Sequence, residues 1–238
     1  MKKNATQVSV LFLIFATLFI VCLIVSNFFA VKPFSVGPAS FTGAIFLFPI
    51  SYIINDVVSE VWGFRRAKML IWMAFAVNFF IVLVAFLVDM IPGAPWWGEE
   101  SAAGFHAVFG LAPRVAVASF LAFLVGSFVN ASVMSKMKVK SEGRHFTLRA
   151  VVSTLLGELS DSMIFFPVAL AGAVIPWSQM PVFVMWQVGL KTAYELVVMP
   201  LTVRIVRWVK EREETDVYDR DIKYNIFMNK KETKNEQR

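Results

Sequence analysis

The chain has 238 residues, of which 58% are hydrophobic and only 17% are charged. Soluble domains average about 45–50% apolar and about 25% charged residues, so this composition excludes an ordinary soluble domain, a disordered chain and a coiled coil. The net charge of +6 is concentrated in short stretches beside apolar segments. That distribution indicates membrane topology, and we expect no nucleic-acid partner.

Long uncharged runs begin near the N-terminus and recur along the chain. The first extends from Val8 to Val31, and the others have at least 20 residues each. Runs of 18 or more apolar residues are typical of membrane-spanning helices. With two further apolar segments that contain ionisable residues, the sequence predicts an all-α integral membrane protein with a six-span helical bundle. The predicted spans are Val8–Val31, Ser40–Trp62, Met69–Ile91, Arg114–Ser135, Ala150–Gly172 and Val182–Val206.

The two ends of the chain complete this organisation. The first apolar run is too long for the core of a signal peptide, and no small-x-small cleavage site follows it, so we interpret it as a retained span. We therefore predict a transmembrane bundle over residues 1–207 and a charged cytoplasmic tail over residues 208–238, with a disordered end. The single cysteine, Cys22, excludes an intramolecular disulfide, and we predict no metal site and no cofactor.

The lysines and arginines near the span ends predict the orientation. Twelve of them fall on one side and two, Lys32 and Arg114, on the other. Because positively charged loops stay in the cytoplasm, both termini are predicted to be cytoplasmic. The twelve are Lys2, Lys3, Arg65, Arg66, Lys68, Lys136, Lys138, Lys140, Arg144, Arg149, Arg204 and Arg207.

Ionisable residues inside the predicted spans are the strongest functional signal. Each costs about 2.5–3.5 kcal/mol on membrane-insertion scales and faces the bundle interior. Helical spacing places them in pairs on three faces, at depths that overlap in the inner half of the membrane. They are Asp56 and Glu60 in span 2, Glu158 and Asp161 in span 5, and Lys191 and Glu195 in span 6.

Two interpretations of these residues remain open. Lys191 and Glu195 could pair with each other while the acids bond to backbone groups, which would give all six a structural role. Clustered carboxylates could instead accept paired N–H groups from a guanidine-like edge of a ligand, or relay protons or Na⁺. The pattern also allows two inverted halves of three spans. However, span 2 contains proline before its acids and span 5 after them, which argues against a simple repeat.

One segment resembles a known family. Residues 48–63 have the sequence FPISYIINDVVSEVWG, similar to the queuosine precursor transporter pattern F-P-x-[ST]-Y-x-x-x-D-x-x-x-E-x-[YW]-G. This family is also called the vitamin uptake transporter family. Weaker resemblances extend over about residues 10–227. They are Ser26-Asn27 with Lys32, Gly157–Ser162, Lys191, Asp216–Asp219 and the tail motif Tyr224–Phe227, where Ile226 replaces a proline.

The resemblance implies an importer in the bacterial inner membrane, not an enzyme. Its substrate would be a small 7-deazaguanine base such as 7-cyano-7-deazaguanine, and Asn27 and Tyr52 join the six ionisable residues as candidates for substrate binding or coupling. One alternative is a substrate-binding subunit that needs a separate ATPase, since the chain lacks a Walker loop. The others are an intramembrane aspartyl enzyme, using Asp56 and Asp161, and a purely structural subunit. The sequence assigns no oligomeric state.

Overall fold

The computed structural model describes residues 8–29, 33–37, 39–109, 113–169, 176–220 and 224. Among the predictions, those on Lys2, Lys3, Val31, Lys32, Gly172 and residues 221–223 and 225–238 lie outside the described residues. The elements are helix α1 (Val10–Phe29), strands β1 (Pro33–Val36) and β2 (Ala39–Thr42), a short 3-10 turn (Gly43–Phe46), and helices α2 (Phe48–Asp89), α3 (Glu99–Phe109), α4 (Pro113–Lys140), α5 (Phe146–Ala169) and α6 (Met180–Glu213).

Helix α2 consists of two helical arms that meet at Gly63, where the backbone is non-helical, with φ of 81° and ψ of 170°. We call residues 48–62 the descending arm and residues 64–89 the ascending arm. In the descending arm, Asp56 contacts Asn130 and Glu60 contacts Lys138 of α4. Residue numbers therefore rise together along the two segments, so the descending arm runs parallel to α4.

The ascending arm runs the other way along α4. Its Trp72 packs on Phe128, whereas Phe79, two turns later, packs on Phe120. Numbers rise on one segment as they fall on the other, so this arm is antiparallel to α4. The two arms therefore form a helical hairpin around Gly63. We call the end of the bundle where Gly63 lies the basic end.

Within the described residues, five helices are long and apolar enough to cross a membrane, and the longest comprises both arms of α2. Because these arms run in opposite directions, they correspond to predicted spans 2 and 3. The prediction of an all-α membrane bundle is confirmed. Gly63 ends the descending arm, and this residue alone separates the two arms, whereas the predicted spans leave residues 63–68 between them.

The other helices pack around this hairpin. Helix α1 lies along it, with Phe12 against Trp62 and Asn27 bonded to Asn78. Helix α5 packs antiparallel to α4, and α6 packs antiparallel to α5. The bundle thus surrounds one face of the descending arm with α4, α5 and α6.

Polarity in α6 is distributed as in a membrane protein. Lys191 and Glu195 are buried, whereas Val197 is 80% exposed and Met185 is 73% exposed. A soluble helix has the reverse arrangement, since its apolar stripe faces the core. The exterior therefore suits lipid, and the interior contains the charged groups.

Some elements differ from the predictions. A two-stranded antiparallel hairpin, β1–β2, precedes α2. The segment after the ascending arm, predicted as a loop, contains the short helix α3. Helix α6 extends to Glu213, beyond the predicted end of the last span at Val206, because its last turns pack against the basic end through buried Val209.

Candidate substrate-binding site

A column of polar side chains follows one face of the descending arm. Tyr52, Asp56 and Glu60 are spaced by four residues, so they lie about 6 Å apart along the axis. All three are almost completely buried. The column extends from the interior of the bundle to its basic end, and each level meets different partners.

Asp56 occupies the middle level, in a ring of hydrogen-bond donors. Its carboxylate accepts hydrogen bonds from Asn130 Nδ2 at 2.9 Å and from the hydroxyls of Ser153 and Thr154 at 3.4 Å. Asn55 Nδ2 donates to Asn130 Oδ1 at 2.7 Å, which orients the Asn130 amide towards Asp56. Helices α4 and α5 therefore fix the position of this carboxylate.

Two other carboxylates lack such partners, and one of them, Glu195, lies near Asp56. Glu158 of α5 and Glu195 of α6 are at most 2% exposed, and none of their four carboxylate oxygens has a well-formed hydrogen bond. Thr192 lies beside Glu158, and Thr154 and Asp56 lie beside Glu195, but without satisfactory hydrogen-bond geometry. A buried carboxylate without donors is strongly destabilising, so these oxygens mark a place where a ligand, proton or ion belongs.

The upper level contains the cation of the cluster. Lys191 Nζ lies 3.6 Å from Asp161 Oδ2, and this ion pair joins α6 to α5. Lys191 was expected, on the structural interpretation, to pair with Glu195 four residues along its own helix. The structure instead pairs it with α5, because the helices cross where Lys191 faces Asp161.

Tyr52 reaches the same level from the descending arm. Its side chain is buried and lies close enough to Asp161, Glu158 and Asp56 to interact with all three electrostatically. It fits there because Gly126 of α4 has no side chain, and a Cβ at Gly126 would lie 2.5 Å from the Tyr52 hydroxyl. Small residues of this kind allow close helix contact in membranes.

Glu60 belongs to a separate ion network at the basic end. Arg149 binds both of its carboxylate oxygens, and Lys210 Nζ donates to Oε1 at 2.7 Å. Lys138 lies 3.9 Å from Oε1 and also donates to the Glu60 carbonyl oxygen. Glu60 therefore does not join the carboxylate layer predicted for it. Its four-residue spacing from Asp56 places it one turn lower, among cations.

Asn27 lies outside the carboxylate cluster as well. Its amide donates to Asn78 Oδ1 at 3.0 Å and so links α1 to the ascending arm. This contact is of the kind that joins helices in membranes, and the structure places no carboxylate of the cluster next to it.

The sequence did not identify several residues that shape this site. Asn130, Ser153 and Thr154 are neutral and individually unremarkable, although an asparagine in the middle of an uncharged span was one signal for Asn130. Arg149 was counted only as a topology signal, yet it is 1% exposed and bound to Glu60. The described residues contain no cluster of three or more His, Cys, Asp or Glu side chains that could hold a metal ion.

The fold and this interior define a multi-pass membrane protein of the transporter class. Four buried carboxyl groups and one ammonium group lie between the descending arm, α5 and α6, surrounded by an apolar exterior. Comparison with known proteins gives the family. The family model described as "Putative vitamin uptake transporter" matches residues 42–205, and the chain belongs to this family.

Three curated relatives are named as transporters, in agreement with the prediction that the chain is not an enzyme. The "Queuosine precursor transporter" of Escherichia coli (strain K12) is 27% identical over 145 residues, which cover 60% of this chain and 62% of that protein. The "Probable queuosine precursor transporter" of Bacillus subtilis (strain 168) is 28% identical over 51% of this chain and 52% of that protein.

The "Probable queuosine precursor transporter" of Haemophilus influenzae is 25% identical over 72% of this chain and 76% of that protein. The chain therefore aligns with less than two thirds of the first two relatives and with about three quarters of the third. No solved structure matches the chain significantly.

Proposed function

We propose that this protein imports a queuosine precursor, such as 7-cyano-7-deazaguanine or a related 7-deazaguanine base, across the bacterial inner membrane. The names of the three relatives support this class of substrate. The observation that carries the proposal is the pair of buried carboxylates, Glu158 and Glu195, which have no well-formed hydrogen bonds. A 7-deazaguanine presents adjacent N–H donors along one edge, which is what an ionised carboxylate accepts.

The remaining cluster residues receive different roles. Asp56 is already held by Asn130, Ser153 and Thr154, so we assign it to positioning and coupling. Asp161 and Lys191 neutralise each other and close the cluster on the side away from the basic end. Among the described residues of this cluster, four acids face one cation, and the excess negative charge favours a ligand with N–H donors, or an accompanying proton.

The first test is uptake of labelled 7-cyano-7-deazaguanine into proteoliposomes that contain only this protein. Flux above that of empty liposomes is expected, and an imposed proton gradient then tests coupling. Binding without flux would support the alternative of a subunit that requires a separate ATPase. The absence of both binding and flux would contradict the substrate assignment.

The second test uses the carboxylates. We expect Glu158→Gln and Glu195→Gln each to weaken binding about ten- to hundredfold, because a hydrogen bond to a charged group contributes about 1.5–3 kcal/mol. The matched control, Glu100→Gln in α3, changes an exposed acid and should bind normally. An analogue without the exocyclic amino group should bind the wild type more weakly than 7-cyano-7-deazaguanine does. Its affinity should also fall less when Glu158→Gln or Glu195→Gln is introduced. Wild-type binding by both variants would contradict the site.

A further inference from the structure

The segment after α6 folds back onto the basic end and contacts the hairpin turn of α2. The Val217 backbone N–H donates to the Val61 carbonyl oxygen at 3.1 Å, at the end of the descending arm. Asp219 Oδ2 accepts from the Phe64 N–H at 2.8 Å, at the start of the ascending arm. The tail thus satisfies backbone groups on both sides of Gly63 that a helix end would otherwise leave without partners.

The same segment joins the ion network around Glu60. Asp216 Oδ1 lies 2.5 Å from Lys138 Nζ and 2.9 Å from Lys210 Nζ, and both lysines also pair with Glu60. Lys138 also donates to the Val217 carbonyl oxygen at 2.7 Å. Tail and network are therefore one connected assembly.

Further contacts spread the docked tail over the basic end. Tyr218 lies under Lys138, with Nζ 4.6 Å from its ring centroid, and a Cβ at Gly143 would lie 2.2 Å from the Tyr218 hydroxyl. Asp219 also accepts a hydrogen bond from the Ser135 hydroxyl. The tail therefore spans the hairpin turn, the end of α4 and the α4–α5 loop.

The position of this assembly matters because it lies at the foot of the polar column. Asp56 is about 6 Å above Glu60 along the descending arm. A substrate that leaves the carboxylate cluster towards the basic end meets the Glu60 network and the tail next. Beyond the proposed import function, we infer that residues 216–219 form a displaceable latch that closes the basic end and undocks when substrate is released there.

The exposed fraction of the side chains distinguishes the displaceable tail from the permanent ion pair between Glu60 and Arg149. The Glu60 and Arg149 side chains are each 1% exposed, whereas the Asp216 side chain is 41% exposed. Ion pairs that water can reach contribute little to stability, so the pairs of Asp216 are the weak contacts of the tail, whereas Asp219 is buried. The tail can therefore undock while the Glu60–Arg149 pair stays intact.

Protonation does not release the latch at neutral pH. Burial raises the pKa of Asp216, but the hydrogen bonds and charges of Lys138 and Lys210 outweigh it, so the pKa lies below its usual range. The same two lysines also pair with Glu60, which Arg149 binds. A depressed carboxyl pKa stabilises docking above the ordinary pKa and loses this effect only as the pH falls through the lowered value. Undocking at neutral pH must therefore follow a conformational change.

The test measures access to Ser135, which is buried beneath Asp219. Ser135→Cys is made in a Cys22→Ser background, which removes the native cysteine, and a membrane-impermeant maleimide is added on the basic side. We expect slow labelling at rest and labelling several-fold faster during transport of 7-cyano-7-deazaguanine. Lys140→Cys, an exposed position on the same helix, should react at the same rate at rest and during transport. Transport without faster labelling of Ser135→Cys would overturn the latch.

A second measurement does not depend on the substrate. Asp216→Asn, added to the Ser135→Cys protein, should speed labelling several-fold without lowering the melting temperature, because the bundle stays folded when the latch opens. Glu211→Gln removes an exposed charge at the end of α6 and should change neither quantity. Unchanged labelling, or a melting temperature that falls as labelling rises, would make the tail an integral part of the fold and overturn the proposal, whether or not the proposed substrate is transported.

Discussion

Buried charges in this protein divide into those with partners and those without. Glu60 is surrounded by Arg149, Lys138 and Lys210, whereas Glu158 and Glu195 have no well-formed hydrogen bonds. A carboxylate saturated by cations has little capacity left for a ligand. Glu60 therefore stabilises the bundle, and the two glutamates without donors are the better candidates for substrate contact.

By this division, Arg149 contributes to the stability of the fold, because it is a partner of buried Glu60. Arg149→Gln should lower the free energy of unfolding by about 3–5 kcal/mol, because it breaks a buried ion pair and leaves Glu60 with fewer compensating charges. Thermal unfolding of the purified protein in detergent measures the change. Arg207→Gln removes an exposed arginine of α6 and should have an effect within about 0.5 kcal/mol. Equal melting temperatures for the two variants would contradict the role of Arg149.

Residue types and spacing predicted the burial of the six ionisable residues within the spans, but not that of Lys138 and Arg149, and not how the charges pair. Asp56, Glu158, Asp161, Lys191 and Glu195 do share one region, because helical periodicity fixes the face on which each lies. The partner of Lys191 depends on how α5 and α6 cross, and helical spacing within α6 alone does not contain that information. For the same reason Arg149 was interpreted as a loop charge and Glu60 as a member of the carboxylate layer.

At the scale of elements, the hairpin of α2 depends on one residue. Gly63 has φ of 81° and ψ of 170°, a backbone conformation that essentially only glycine adopts. The Val217 and Asp219 side chains also occupy the space beside it, since a Cβ there would lie 2.8 Å from Val217 Cγ1 and 2.9 Å from Asp219 Oδ1. The backbone conformation and the docked tail therefore both require glycine at position 63.

Gly63→Ala should destabilise the protein by about 1–3 kcal/mol, the cost of the backbone strain, and its Cβ should displace the tail. Thermal unfolding in detergent again measures the loss. Gly104→Ala is the matched control, because Gly104 lies in α3 with no atom within 4 Å of an added Cβ. Alanine is favoured over glycine in a helix by up to about 1 kcal/mol, so the control should be neutral or slightly stabilised. Comparable losses in both variants would exclude a special role for Gly63.

Hydropathy predicted the number of crossings better than the boundaries of the elements. The uncharged runs and two further apolar segments with ionisable residues identified each long helix of the bundle, because the apolar thickness of a bilayer fixes their length. They could not predict that spans 2 and 3 share one turn residue, since charges at Arg65, Arg66 and Lys68 indicated a loop. These residues are helical instead, because an abrupt turn at Gly63 makes a longer loop unnecessary.

On the scale of the whole molecule, the hairpin determines the topology. If α2 crossed the membrane once, the β1–β2 hairpin before it and α3 after it would lie on opposite sides. Because its two arms are antiparallel, both lie on the side away from the basic end. The α4–α5 loop then lies at the basic end, where the tail docks. Six crossings also place both termini on the basic side, which the distribution of lysine and arginine predicts to be cytoplasmic.

Sided labelling distinguishes these topologies in intact cells. In the Cys22→Ser background, Val36→Cys in β1 and Glu99→Cys in α3 should both react with a membrane-impermeant maleimide added outside, since both positions are exposed. Lys140→Cys at the end of α4 is exposed as well but should react only after the membrane is permeabilised. Labelling of Glu99→Cys without Val36→Cys would mean that α2 crosses once, and would remove the reversal on which the polar column and its latch depend.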